Sequence, residues 1–426
     1  MTAIAGSSTV TPRAKLWRSP AAWTTTVDIF AILVALTLPW STSLTGIFSF
    51  AMLLAMLPFL DRDALVRSIK RPISMVPIAF FLLALVGTLW SDAAWGARLY
   101  AVFPTAKLLA LPLLFYHFER SERGVAVFAA FLVSCALMMP MSWVVAFHPS
   151  LSLKPAAEAS RGIFVKNYID QSQEFTLCAV ALAYPIITLL REKKMWLALL
   201  LGVVSLSFVA TMAFIITSRT ALVTMPVMLG VFGLVHLSWR TNLIILVSAA
   251  VLATVVWASS AQLQRTVETF THEYQAYREQ GAATSIGERL EFWRKSLQFF
   301  ADAPVIGHGT GSTRGLFIQA ATGPAGSATA EVIGNPHNQT LNVAVQWGIV
   351  GVIILYAMWL THLLWFRGDG PANWIGLLVV VQNIFSSLFN SHIFDFHEGW
   401  MYVLGVGVAG GMALKARATE SMAGDR

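Results

Sequence analysis

The stretch MWLALLLGVVSLSFVATMAFIITSRTALVTMPVMLGVFGLVHL, residues 195–237, carries a single Asp, Glu, Lys or Arg, namely Arg219. Roughly 20 apolar residues of helix cross a bilayer core. The run therefore reads as two crossings, 195–217 and 220–237, that meet at Thr217-Ser218-Arg219-Thr220. A guanidinium at such a join must snorkel, pair or bind an anion. Arg219 fits a turn residue and an anion ligand equally well.

The same pattern extends in both directions. Of 426 residues, 56% are hydrophobic and 12% charged, and the mean hydropathy is +0.66; soluble domains carry about 25% charged residues. Lipid offers the backbone no hydrogen bonds, which makes helices the default, and the weak alternating segments of a β-barrel are absent. Further spans are read at 25–40, 43–60, 73–90, 100–116, 124–147, 174–190, 241–258, 338–363, 373–390 and 398–415. The expected fold is an all-α integral membrane protein of about twelve transmembrane helices, with a large periplasmic insertion between spans nine and ten. Its parts are a nine-span bundle at 1–258, a helical insertion at 259–337, and the last three spans with a cytoplasmic tail at 338–426.

The net charge of +7 comes from basic residues in short loops between apolar runs. Arg13, Lys15 and Arg18, then Arg62, Arg67, Lys70 and Arg71, then Arg120 and Arg123, then Arg191, Lys193 and Lys194 all fall on one side of the expected topology. That is the positive-inside pattern, not a nucleic-acid footprint. It puts these loops and both termini in the cytoplasm and the insertion outside. Cys135 and Cys178 lie within apolar runs and read as small buried hydrophobes, not as a disulfide.

The unusual polar residues gather in the outward segments. Ser285-Ile-Gly-Glu288 has capping-box spacing, and Ile286, Leu290, Trp293, Leu297 and Phe300 recur at helical intervals, so an amphipathic helix is expected at 286–301. Gln262 to Gln280 reads as a polar helix, and Gly307-His-Gly-Thr-Gly-Ser312 and 321–330 as flexible loops. The glycine run is not a P-loop, because no Lys-Ser/Thr follows it.

His337 stands in Asn335-Pro-His-Asn338-Gln339, where the insertion leads into the next span. An imidazole there can accept a proton from a hydroxyl or donate to a phosphate oxygen, although a lone interfacial histidine is more often structural. Arg289 follows the capping box, with surface pairing to Glu288 or Glu291 as its plain alternative. Arg265 and Arg161 are phosphate or sugar candidates by location. Lys107 sits about two turns into its span, and either snorkels or enters a polar cavity. Ser391-His392-Ile-Phe-Asp395-Phe-His397-Glu398 is a dense polar turn whose spacing matches no zinc or di-metal signature. No metal is expected, and His392 is assigned a hydrogen-bonded or acceptor-binding role.

Taken in order, several pieces resemble the O-antigen ligase and polymerase superfamily of bacterial envelope membrane proteins. They are Ser218-Arg219-Thr220 after a long apolar span, Glu288-Arg289-Leu-Glu-Phe-Trp293, Pro304-Val-Ile-Gly-His-Gly-Thr-Gly311, and Pro336-His-Asn338 before Leu341-Asn-Val-Ala-Val-Gln-Trp-Gly348. The resemblance implies a GT-C-like fold and a Gram-negative inner-membrane enzyme whose site faces the periplasm. It further implies transfer of O-antigen polysaccharide from undecaprenyl diphosphate to the lipid A core oligosaccharide. His337 takes the family histidine position, Arg219 and Arg289 match motif arginines, and Arg265 and Asn338 follow by position. With arginines holding the diphosphate, the implied enzyme is a metal-independent inverting glycosyltransferase without cofactor. An O-antigen polymerase, a protein O-oligosaccharyltransferase and, from a different class, a polytopic transporter or flippase are the alternatives.

Overall fold

The computed structural model describes residues 20–152, 154–216 and 218–424. Arg13, Lys15, Arg18 and Thr217, used above, lie outside the described residues. The described chain is almost wholly helical, with one isolated antiparallel bridge between Ala282 and Ser327.

Among the described residues, eight helices are long and apolar enough to cross a membrane: Thr42–Phe59, Pro72–Leu89, Trp95–Phe118, Gly124–Phe147, Tyr168–Arg191, Met195–Phe214, Trp239–Ser259 and Gln339–Trp365. This corrects the expectation of about twelve. Ala21–Thr37, Thr220–His236 and Pro371–Ser386 are apolar but have only 10–17 residues. At 1.5 Å per residue such helices reach at most about 26 Å, less than a hydrocarbon core of about 30 Å. Phe396–Gly424 is long but opens with His397 and Glu398 and is rich in glycine. A run of apolar letters does not reveal where a helix stops or what dilutes it.

The glycines of that last helix explain its central place. Gly407 and Gly410 lie against Leu114 and Phe115, Gly411 against Phe118, and Gly405 against Val379. Without side chains, the backbones approach closely where no hydrophobic force separates protein from lipid. Val403, Val406, Val408 and Ala409 are fully enclosed as a result.

The helix Gln339–Trp365 breaks at Trp347 (φ −132°, ψ 15°) and Gly348 (φ 58°, ψ −153°). Carbonyls and amides released by a break need new partners. The glycine-rich loop supplies them: His308 N donates to Val345 O (2.9 Å) and Gly309 N to Gln346 O (2.8 Å), while Ile349 N donates to Pro304 O (2.8 Å). Gly311 N donates to Gln346 Oε1 at 2.8 Å, and Trp347 Nε1 to Thr310 Oγ1 at 2.8 Å. The segment expected to be a flexible loop is therefore a fixed patch on a broken helix.

The insertion is built on that patch. Its helices Ala261–Gln280 and Ser285–Asp302 bear out the two helical readings, and Thr313–Gln319 is a third, short helix that the sequence reading did not contain. The cap sits one residue earlier than expected: Thr284 Oγ1 accepts from Gly287 N at 3.1 Å. Phe292, Phe299 and Phe317 form a small core that is closed by Val345, from the turn just before the break.

The bundle has two chemically different ends. At one, Arg71 pairs with Glu119 (2.9 Å), Lys415 with Glu122, and Arg417 donates to Trp365 O. At the other stand the insertion and the loop between Pro371–Ser386 and Phe396–Gly424.

Gly348→Ala is expected to lower the thermal midpoint of the detergent-solubilised protein, since a Cβ would strike the Val305 backbone and the dihedral is costly by about 1–3 kcal/mol. Gly202→Ala, whose Cβ meets open space, should leave that midpoint unchanged or raise it slightly.

Candidate functional site

His337 is held in a left-handed conformation, φ 53°, which a non-glycine residue adopts at a cost. Asn335 maintains it with an Asx turn, its Oδ1 accepting from His337 N at 3.0 Å. On the far side of the ring, Nδ1 lies 3.0 Å from Asn390 Oδ1. Asn390 Nδ2 donates to Asp395 Oδ2 at 2.6 Å, and Asn335 Nδ2 donates to Asn390 Oδ1 at 3.1 Å. A carboxylate only accepts, so the Asn390 amide must turn its NH₂ to Asp395 and its oxygen to His337. Nδ1 then carries the proton. Nε2, which has no hydrogen-bond partner among the described residues, presents a lone pair.

Burial pushes the His337 imidazole below its ordinary value of 6.5; the Asn390 hydrogen bond opposes this and the Arg289 charge adds to it. The ring is therefore neutral at pH 7. Arg289 is close enough to influence that titration, and Phe292, one turn along Ser285–Asp302, packs on the ring at 6.2 Å. Glu291, one of the two carboxylates considered for Arg289, is held by Arg294.

Beside the histidine is a second cluster. His392 is fully buried, with Nδ1 3.4 Å from Asp395 Oδ2 and 3.5 Å from Glu398 Oε1. These are ion-pair distances without good hydrogen-bond geometry. Burial works against a charge on His392, but the Glu398 and Asp395 carboxylates outweigh it and hold its pKa at about 10. His392, Asp395 and Glu398 also form a possible divalent-ion set, with ligand atoms within 4.8 Å of one another. Paired with these two carboxylates, His392 is the cation of the group. Lys107 reaches across to donate to the Asp395 carbonyl, which settles the choice left open for it. Further along, Lys166 Nζ lies 2.7 Å from His397 Nδ1 and 3.6 Å from Glu174, with Asp170 3.8 Å from His397 Nε2.

The remaining candidates gather at the same end without joining this network. Arg219 opens the helix Arg219–His236, whose other end packs His236 on Trp374 at 5.2 Å. Its start therefore lies toward the end where Pro371–Ser386 delivers Asn390; its side chain is outside the described part of the structure. Asn338 caps Gln339–Trp365, its Oδ1 accepting from Leu341 N and its Nδ2 donating to Leu388 O. Arg161 stacks over Tyr168 at 4.7 Å. Arg265 is exposed in the first turns of Ala261–Gln280, which Ser260 ties to Ala213 O. Asn390 is absent from the sequence expectations, and Asn335 and Asp395 enter them only as members of polar runs, Asn335–Gln339 and Ser391–Glu398, with no role of their own.

These features define a multi-pass helical membrane protein that presents a neutral histidine beside an arginine at one end of its bundle. Residues 203–356 match a family model described as O-antigen ligase, a segment that includes Arg219, Arg289, the glycine-rich patch and His337. The match covers about a third of the chain and is a similarity to that family over this segment, which apolar helices flank on both sides. A Haemophilus influenzae protein described as uncharacterized is 22% identical over 179 residues, which is 41% of this chain and 45% of that protein. The match thus spans less than half of that relative.

The raised pKa of His392 gives a signed pH dependence. Its contribution to stability is fully present below the unfolded value near 6.5 and is lost as pH rises through about 10. His392→Gln should accordingly lower the thermal midpoint most at pH 7, with the gap to wild type narrowing by pH 10. A gap independent of pH would mean that His392 is not the cation of its cluster.

Proposed function

We propose that the protein is an O-antigen ligase that transfers glycan from undecaprenyl diphosphate to the lipid A core oligosaccharide at the periplasmic face. The observation that carries this reading is the neutral His337, with Nε2 presented and Nδ1 anchored through Asn390 to Asp395. An acceptor hydroxyl donating to Nε2 would lose its proton to the ring as its oxygen attacks the anomeric carbon. Proton transfer leaves the imidazolium stabilised by the amide dipole and the carboxylate behind it.

The bond to diphosphate breaks as the new glycosidic bond forms, and negative charge builds on the leaving group. Arg219 and Arg289 are assigned to hold that charge, since a guanidinium binds two oxygens at once and does not titrate. Displacement in one step inverts the anomeric centre. No metal is assigned to the reaction. The distribution of basic residues supports the orientation: the basic loops around Arg71, Arg120, Arg191 and Lys415 are read as cytoplasmic, and His337 with the insertion as periplasmic.

The test is transfer from undecaprenyl-diphosphate-linked glycan to purified lipid A core, in detergent with chelator. Wild type should form product, and His337→Ala, Arg289→Ala and Arg219→Ala, each folded by thermal midpoint, should lose about 10²-fold or more. No product from wild type with intact donor and matched acceptor would overturn the ligase reading. Activity restored only by a divalent ion would overturn the metal-independent mechanism.

Asn390→Ala separates positioning from folding. Removing the acceptor from Nδ1 frees the tautomer, so kcat should fall about tenfold or more with little change in KM. In wild type the acid limb of the rate profile should lie below pH 6.5, the side to which burial shifts His337.

A further inference from the structure

Between Pro371–Ser386 and Phe396–Gly424 is a small cavity of about 10 Å³, lined by Gln382, Asn383, Ser386, Glu398 and Tyr402 together with two apolar side chains. Its size is that of a single water or a small ion. The reaction proposed above makes no use of it.

Four of the five polar side chains in its wall are held as acceptors. Gln382 Nε2 donates to Gln173 O at 2.6 Å, which turns Oε1 the other way, and that oxygen has no hydrogen-bond partner among the described residues. Glu398 Oε1 is also without one, and an ionised carboxylate has nothing to donate. His362 gives its Nε2 hydrogen to Ile73 O at 2.9 Å, so its Nδ1 accepts from Tyr402 at 2.6 Å and the phenol oxygen keeps only lone pairs for the cavity. Ser386 Oγ donates to Asn383 O at 3.4 Å. Asn383 is the exception, since its Oδ1 is taken by Trp359 Nε1 at 3.0 Å and its amide hydrogens remain. Gln382 and Glu398 are only 2% and 4% exposed, and a buried acceptor left unpaired is costly, a charged one most of all.

A single water has two hydrogens for four acceptors, whereas a small hard cation takes oxygen ligands on every side. The surrounding charges point the same way. Asp170, Glu174, Asp395 and Glu398 are set among Lys107, Lys166 and His392, and His397 stays neutral because its Nδ1 accepts from the Lys166 ammonium at 2.7 Å. The acids of this cluster outnumber its cations by one, and a single positive charge restores the balance that burial demands. We infer that the cavity binds one alkali cation of sodium size, held by Gln382 Oε1, Glu398 Oε1, Tyr402 Oη and Ser386 Oγ. The inference does not rest on the ligase reading. The cation would tie Pro371–Ser386 to Phe396–Gly424, the two helices whose connecting loop carries Asn390 and Asp395.

The experiment takes the full-length protein in detergent, in sodium, potassium or choline chloride at equal ionic strength and fixed pH, and reads the thermal midpoint together with retention of radiolabelled sodium. Sodium should raise the midpoint saturably above both other salts, with one ion retained per chain. Glu398→Gln, which keeps the shape and removes the charge, should abolish retention. Ser386→Ala, which removes one ligand and no charge, should match wild type in choline and bind sodium about tenfold more weakly or worse. Equal midpoints in the three salts, with no sodium retained, would overturn the inference and assign the cavity to water. A midpoint that responds to pH but not to sodium would overturn it as well, making the missing charge a proton shared by Asp170 and Glu398. So would wild-type sodium affinity in folded Ser386→Ala and Glu398→Gln.

Discussion

A helix in a lipid-facing bundle can break only where something else satisfies the backbone that the break releases. In this protein the break is at Trp347 and Gly348, and the hydrogen bonds come from residues 304–311. The left-handed glycines Gly307, Gly309 and Gly311 let that segment lie directly on the broken helix, Ser91 and Ala97. Much else follows from this union. It fixes the exit of Ser285–Asp302, completes the insertion's aromatic core with Val345, and sets where Phe292 meets His337.

The polar network around Asn390 depends on a different constraint, the single orientation that its amide can take. Asp395 accepts from one face of the amide, and His337 and Asn335 use the other. A neutral side chain thereby passes the influence of a carboxylate to an imidazole without putting a second charge beside it. Asp395 is in turn drawn toward the buried His392 and lies beside the Lys107 contact on its own carbonyl. The charges in this region are arranged in opposed pairs, as burial requires.

The sequence makes parts of this plain and conceals others. Composition and run length establish a helical membrane protein, and the boundaries Gly124–Phe147 and Trp239–Ser259 come within two residues of the read spans. The count of spans fails where Ala21–Thr37 and Pro371–Ser386 end three and four residues before the read spans do, because hydropathy measures transfer to lipid and not where a helix stops. The Ser285–Asp302 helix was legible from its three- and four-residue spacing, whereas its cap at Thr284 was obscured by an adjacent serine that fits the same motif. His337 and Arg289 were visible as letters, and their proximity is a tertiary fact. Asn390 was hidden because its role depends on residues more than fifty positions away, Asn335 and His337. The glycine-rich loop reads as flexible from sequence because glycine permits both mobility and close backbone approach, and only the partner distinguishes them.

The stitched break also has a mechanical meaning. Ser285–Asp302 and Gln339–Trp365 are joined by backbone hydrogen bonds through residues 304–311 and by a shared aromatic core. The helix that carries Arg289 is thus coupled to the helix that His337 leads into. A displacement of either helix is thereby passed to the other through protein contacts, without lipid as the go-between.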